Sequence, residues 1–301
     1  MSKKNMAASV HARLTDIARR TDRPFQELLQ YYAMERFLYR LSKSPHAARF
    51  VLKGALMLRV WDAPMAGPSK DIDVLGRLEN SLENLSTVVR EVYAVEVESD
   101  GLLFRPATVK SERIRENADY EGVRTRFDGL LARARMAMQL DVGIGDVMVP
   151  GPVEIAYPTL LDMPAPRLKG YPRETAIAEK FEAMVKLGTL NSRMKDFYDI
   201  WLLSRQFDFD GSMLAQAVNA TFVNRRTAVK ADPVALTTEF SESEVANIQW
   251  RAFVRKGRLA NAPARLGEAV SGIARFLLPV ARAHLAGGNF KMNWTVDPWR
   301  E

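Results

Sequence analysis

The chain has 301 residues, 47% of them hydrophobic, enough to bury a substantial core in one large domain or two smaller ones. Lys and Arg number 43 against 36 Asp and Glu, a formal net charge of +7 that favours polyanionic partners. Cysteine is absent and the three histidines, His11, His46 and His284, are far apart. This excludes disulfides, thiolate catalysis, Cys-type zinc sites and a histidine metal cluster, so carboxylates must hold any metal, and the histidines read as surface residues.

Residues 7–21 read as a helix with Val10, Leu14 and Ile17 on one face. A second helix starts at Pro24, with Thr21 or Asp22 near its cap. Its aromatics Phe25, Tyr31, Tyr32, Phe37 and Tyr39 mostly recur at helical spacing and are expected in a core rather than stacked on bases. A short apolar run, Phe50-Val51-Leu52, turns at Lys53-Gly54 and continues from Ala55 to Trp61 as two helical turns. After a Pro/Gly/Ser loop the chain re-enters an extended segment, Asp71-Ile72-Asp73-Val74-Leu75. Strand periodicity sends Asp71 and Asp73 to one face, about 6.6 Å apart along the strand.

Two carboxylates on one face repel unless a cation sits between them. Oxygen-only ligation with an incomplete shell suits Mg²⁺, with Mn²⁺ as the alternative, the remaining ligands coming from water and substrate phosphates. Exposed strands also carry such pairs without any metal, so the setting decides: a strand, a Gly turn, a helix and a Ser/Gly loop precede this one.

Residues 81–93 read as a helix, followed by extended segments at 101–105, 107–115, 122–131 and 134–144. The last carries Asp141, either a third acid beside the pair or a turn aspartate before Gly143. Arg105, Lys110, Arg113, Arg115, Arg124, Arg126, Arg133 and Arg135 form either a path for phosphates or a solvated face paired with Glu112, Glu116, Asp119, Glu121 and Asp128. The prolines between Pro150 and Pro172 suggest an irregular connector. A helix from Arg173 to Leu187, stopped by Gly188, carries Lys180 among Ala176, Ile177, Phe181 and Met184. Such a lysine is expected to project toward a cleft and bind phosphates as a point charge. On the next helix, Met194–Ser204, Asp196 and Asp199 lie near one face. Asp196 is read as positioning a metal or orienting Lys180, and Asp199 as structural or paired with an arginine such as Arg193. Helices follow at about 211–222, 241–256 and 265–286, and the tryptophans at the C-terminal end are expected to dock onto the domain. No run of about 18 apolar residues occurs and the N-terminus has no apolar signal segment, so no membrane span and a cytoplasmic location are expected.

Gly54 with its following helix, then Ser69-Lys70-Asp71-Ile72-Asp73, resembles the first motif of polymerase-beta-like nucleotidyltransferases, and more closely the AbiEii/AbiGii (MenT-like) toxins. Leu140–Asp146, Ala178–Met184 and Arg193–Ile200 fit that group in order, so the resemblance spans about residues 45–205. One departure is Ala55, where the family usually has a second Gly or Ser; alanine supplies neither a hydroxyl nor freedom at positive φ.

The resemblance implies an α+β fold: a polymerase-beta-like nucleotidyltransferase sheet with flanking helices and a C-terminal helical bundle. It implies an N-terminal catalytic domain with leading helices over 1–150, a connector over 151–172, and a helical domain over 173–301 that contributes Lys180 and Asp196 to the cleft. Asp71, Asp73 and Asp141 would hold Mg²⁺, while Lys53, Gly54, Ser69 and Lys180 would bind an NTP. Asp71, Lys180, Asp196 and Ser69 would serve the reaction. The expected activity is transfer of NMP to an RNA acceptor, foremost the tRNA 3′ end, blocking translation, with a cognate antitoxin encoded next to the gene. The rivals are a same-fold transferase acting on a protein or small-molecule hydroxyl, and an inactive nucleic-acid- or partner-binding scaffold.

Overall fold

In Ala134–Ile144 the apolar residues Met136, Met138, Leu140 and Val142 alternate with Ala137, Gln139 and Asp141, the pattern of a strand with one face on a core. A computed structural model of the chain describes residues 3–63, 69–77, 81–117, 120–296 and 299–300, the side chains of 3–5, 115–117 and 120–121 excepted. Residues 64–68 of the Pro/Gly/Ser loop, Asp119, and the side chains of Arg115, Glu116 and Glu121 lie outside the described residues. The chain divides into two units, the first formed by Met1–Asp62, Pro68–Gly145 and Val153–Gly170, the second by Ala63–Gly67, Asp146–Pro152 and Tyr171–Glu301.

The first unit begins with helices α1 (Lys3–Thr21) and α2 (Phe25–Lys43), then β1 (Phe50–Lys53), the short α3 (Leu56–Val60), β2 (Asp71–Gly76) and α4 (Leu82–Ala94). Ser81 caps α4 by accepting the Asn84 N–H at 3.0 Å. Three long strands follow, β3 (Leu102–Asn117), β4 (Tyr120–Leu131) and β5 (Ala134–Ile144), then β6 (Val153–Ala156) and β7 (Arg167–Gly170). They form a mixed seven-stranded sheet in the order β3-β4-β5-β2-β1-β7-β6, with β2–β5 and β1–β7 parallel. The stretch 151–172, read as connector, thus supplies the last two strands at one end of the sheet, β7 beside β1 and β6 at the edge. Each is only four residues long among prolines, too short for alternation to show.

Tyr31, Tyr32 and Phe37 on α2 are fully buried, and Phe37 packs on Phe127 of β4 at 5.0 Å between ring centroids. The same helix buries charge: Arg40 grips Asp100 through Nη1 at 2.5 Å and Nη2 at 3.1 Å, and Arg36 donates to the Pro164 carbonyl at 3.1 Å. His46, expected at the surface, is instead buried, with Nε2 2.5 Å from Glu91 Oε2 and Nδ1 3.2 Å from Arg49.

The second unit is helical. It comprises α5 (Arg173–Leu187), α6 (Met194–Gln206), β8 (Phe209–Asp210), α7 (Gly211–Asn224), α8 (Thr238–Glu242), α9 (Glu244–Gly257), α10 (Leu266–Leu285), β9 (Asn293–Trp294) and β10 (Trp299–Arg300). The three short strands pair as β10-β9-β8. As expected, the tryptophans dock within the unit: Trp294 Nε1 donates to the Ser204 carbonyl at 2.5 Å and Trp299 Nε1 to that of Phe276 at 3.0 Å. Among the described residues no helix is long and apolar enough to cross a membrane.

Candidate active site

The register of the first unit's sheet aligns Lys53 of β1 with Asp73 of β2, Asp73 with Asp141 of β5, Asp141 with Arg124 of β4, and Arg124 with Glu112 of β3. Residues in register on adjacent strands share a face, so five charged side chains form one row across five strands, about 4.8 Å from strand to strand. The neighbours alternate in sign except at the centre, where Asp73 stands beside Asp141. Two residues along, a second row on the same face runs Asp71, Gln139, Arg126, Lys110. Three acids therefore gather mid-sheet with cations to either side.

Arg124 clamps Asp141 with two hydrogen bonds, Nε to Oδ1 at 2.9 Å and Nη2 to Oδ2 at 2.7 Å, and Gln139 Nε2 adds a third to Oδ2 at 3.1 Å. Sequence reasoning counted Arg124 only as one of several arginines for phosphates; its partner is this carboxylate. Arg126, from the same set, pairs with Glu112 at 2.5 Å. Asp71 keeps its proton to a higher pH than an ordinary aspartate, first because it is half-buried and next because of the charge on Asp141, with Arg124, Lys70 and Arg126 opposing. Half-burial and the neighbouring Asp141 thus disfavour the charged form of Asp71.

Gly54 closes one side. Its φ is +72°, and a Cβ there would lie 2.2 Å from Asp73 Oδ2, so both the backbone conformation and the approach of the carboxylate require glycine. Ala55 sits at φ −63°, ψ −29° and opens α3, so that position has no need of a left-handed residue. Ser69 is fixed from both ends: its N–H donates to Tyr31 Oη at 2.7 Å and its hydroxyl to the Asp71 carbonyl at 3.1 Å. It thereby sets the entry of the chain into β2.

In the second unit, α5 buries Ile177, Phe181 and Met184 and places Lys180 against α6. Lys180 Nζ lies 2.6 Å from Asp196 Oδ1 and 2.9 Å from Asp199 Oδ2, with 21% of its side chain exposed. Burial alone would pull its pKa down; the two carboxylates outweigh that and hold it above the ordinary lysine value. Asp199 is also buried, which would raise its pKa, yet Lys180 and Lys195 hold it below the ordinary aspartate value. Its partners are therefore two lysines and not Arg193.

A further cluster was not read from the sequence. Arg225 reaches Asp146 at 2.9 Å, Glu182 at 3.1 Å and Glu179 at 3.4 Å, and Thr227 Oγ1 donates to Glu182 at 2.5 Å. The signal was present: Asp146, Glu179 and Glu182 lie in two of the four matching stretches, and acids there call for a cation.

A mixed seven-stranded sheet with a mid-sheet acid row in one unit and a helical second unit with a lysine held by two aspartates define the class by fold, an α+β protein. The chain belongs to the AbiEii nucleotidyltransferase toxin family of type IV toxin–antitoxin systems, whose pattern it matches over residues 36–271. Membership brings a nucleoside triphosphate as co-substrate, a divalent metal as the family's general cofactor, and an antitoxin as partner. Similar solved structures include MenT4, a nucleotidyltransferase toxin from Mycobacterium tuberculosis, at 17% identity over 96% of this chain and 99% of that one, with a TM-score of 0.48. JHP933 from Helicobacter pylori is 14% identical over 87% of this chain and 96% of its own, with a TM-score of 0.46. No curated protein matches the chain.

Proposed function

We propose that the chain transfers a nucleoside monophosphate from an NTP to the 3′ hydroxyl of an RNA, foremost a tRNA, and so blocks translation in the cytoplasm until its antitoxin intervenes. The observation that carries this reading is the acid row of Asp71, Asp73 and Asp141, packed against the glycine turn. The acceptor hydroxyl attacks the α-phosphate and pyrophosphate leaves. Such chemistry asks the protein for alignment and charge neutralisation rather than a nucleophile of its own, so a chain with no cysteine and three scattered histidines is equipped for it.

The acid row fits a divalent cation. Its donors are all oxygen, and the Asp71 carboxylate, disfavoured first by burial and next by the Asp141 charge, would be favoured by a cation beside it. Among the described residues no three acids or histidines cluster closely enough to hold an ion by themselves. Asp71 and Asp73 would therefore supply the protein ligands and leave the rest of the shell to water and triphosphate oxygens, the habit of Mg²⁺. When bound, the ion neutralises triphosphate charge. Asp141, the third acid assigned to the metal, is oriented by Arg124 and Gln139, and its charge acts on Asp71.

Lys53 and the Gly54 backbone are assigned to the nucleotide, Ser69 to holding Asp71 in place. Lys180 is assigned to the charge on the triphosphate and Asp196 to orienting Lys180, the role its 2.6 Å ion pair supports. The test is incubation with each radiolabelled NTP plus total RNA or total protein. Label entering the tRNA fraction, lost with Asp71→Ala, is the expected result. Label entering protein or small molecules instead would replace the acceptor, and no label with any NTP would leave a binding scaffold.

A further inference from the structure

The second unit holds a groove of about 580 Å³ that borders the Lys180 cluster, with Lys195 and Asp196 of that cluster in one wall. One wall is the start of α6 with the turn before it, including Arg193, Lys195 and Asp196. The other is one face of α9, with Gln249 and Phe253. A volume of this size suits one compact ligand moiety.

Phe253 is half-buried. Tyr198 meets it edge-on with ring centroids 5.9 Å apart, and Trp250 tilts against it at 5.8 Å, so its ring is a fixed platform. Arg193 lines the wall opposite. Arg193 is exposed, and Lys256, also exposed, follows Phe253 by three residues on α9, about 4.5 Å along the axis. Asp196, an acid of the same wall, is already engaged by Lys180.

An aromatic platform between cations suits an unpaired nucleotide: the base stacks on the ring and its flanking phosphates meet the charges. A duplex keeps its bases stacked internally and offers no face to Phe253. Arg193 in one wall and Lys256, one helical turn beyond the Phe253 of the other, are spaced for successive phosphates of a strand rather than for one compact triphosphate. We propose that this groove binds the single-stranded end of a nucleic acid, with one base on Phe253 and its phosphates on Arg193 and Lys256. The proposal rests on the transferase reading only for the strand being RNA.

The test uses the full chain and the fluorescence anisotropy of a short labelled single-stranded oligoribonucleotide, without NTP or divalent ion. Phe253→Leu, which keeps an apolar side chain in place, should weaken binding about tenfold or more, and Phe253→Trp should restore it. Arg193→Ala should weaken it less and lower the salt slope by about 1. Thermal unfolding checks that each variant is folded. Unchanged affinity of a folded Phe253→Leu variant would overturn the proposal. So would equal binding of the duplex or of a polyglutamate peptide, or displacement of the strand from Phe253 by free NTP at comparable concentration. The two readings fail separately. Asp71→Ala should lose transfer and keep oligonucleotide affinity. Absence of transfer by the unsubstituted protein sinks only the transferase reading, whereas normal binding by Phe253→Leu sinks only this one.

Discussion

The acid row of the first unit and the lysine cluster of the second are both built from buried or half-buried charge, but they are balanced in opposite ways. On the sheet, strand register sets Asp73 beside Asp141, while half-burial and then the Asp141 charge raise the pKa of Asp71, a site under tension. Between α5 and α6, two aspartates meet Lys180 and Lys195, and Asp199 is held below its ordinary pKa, a site at rest. The comparison teaches that the sheet leaves Asp71 with a disfavoured charge, whereas the cluster between α5 and α6 balances its charges and so also holds its unit together.

Substitutions should separate the two. Lys180→Met should both abolish transfer and destabilise the chain by about 3 kcal/mol, since it strips a partner from the buried Asp199; urea denaturation measures the second effect. Asp71→Asn should cost about 10²- to 10³-fold in transfer, read by single-turnover labelling, yet stabilise the protein. The sign follows from the raised pKa. The folded state prefers Asp71 protonated, so its contribution is complete below the pKa of an unfolded aspartate and is lost as pH rises through the folded value. The urea midpoint of Asp71→Asn should therefore exceed that of the unsubstituted protein at neutral pH, and the difference should vanish in acid. Equal midpoints at both pH values would contradict the picture of tension.

Gly54→Ala combines a disfavoured φ with a clash against Asp73 and should cost about 1–3 kcal/mol along with most of the transfer activity. The smallest effect is expected at Glu35, which belongs to neither cluster. Burial raises its pKa to about 7, against the Leu160 N–H and Arg36, so stability present below the ordinary glutamate range is lost as pH rises through 7. Glu35→Gln should flatten that slope in a series of thermal melts.

What was legible in the sequence is what depends on local period. The shared face of Asp71 and Asp73, the helices of both units and the Gly188 stop follow from spacings of two or three to four residues and from turn chemistry. What was not legible depends on pairing between distant segments. Nothing local says that Lys53, Asp73, Asp141 and Arg124 fall in one row, because register is settled by the packing of whole strands. Arg124 was therefore indistinguishable from its basic neighbours, and His46 from a surface histidine. Asp199 was readable in part, since Lys195 stands four residues before it on the same helix, but Lys180 came from another helix.

The contrast between Gly54 and Ala55 reaches beyond this molecule. Only the first of the two is obliged to be glycine, because only there does a carboxylate occupy the space of a methyl group. A sequence pattern that insists on two consecutive small flexible residues would overlook chains built like this one. A pattern that pins the first position and lets the second drift would recover them.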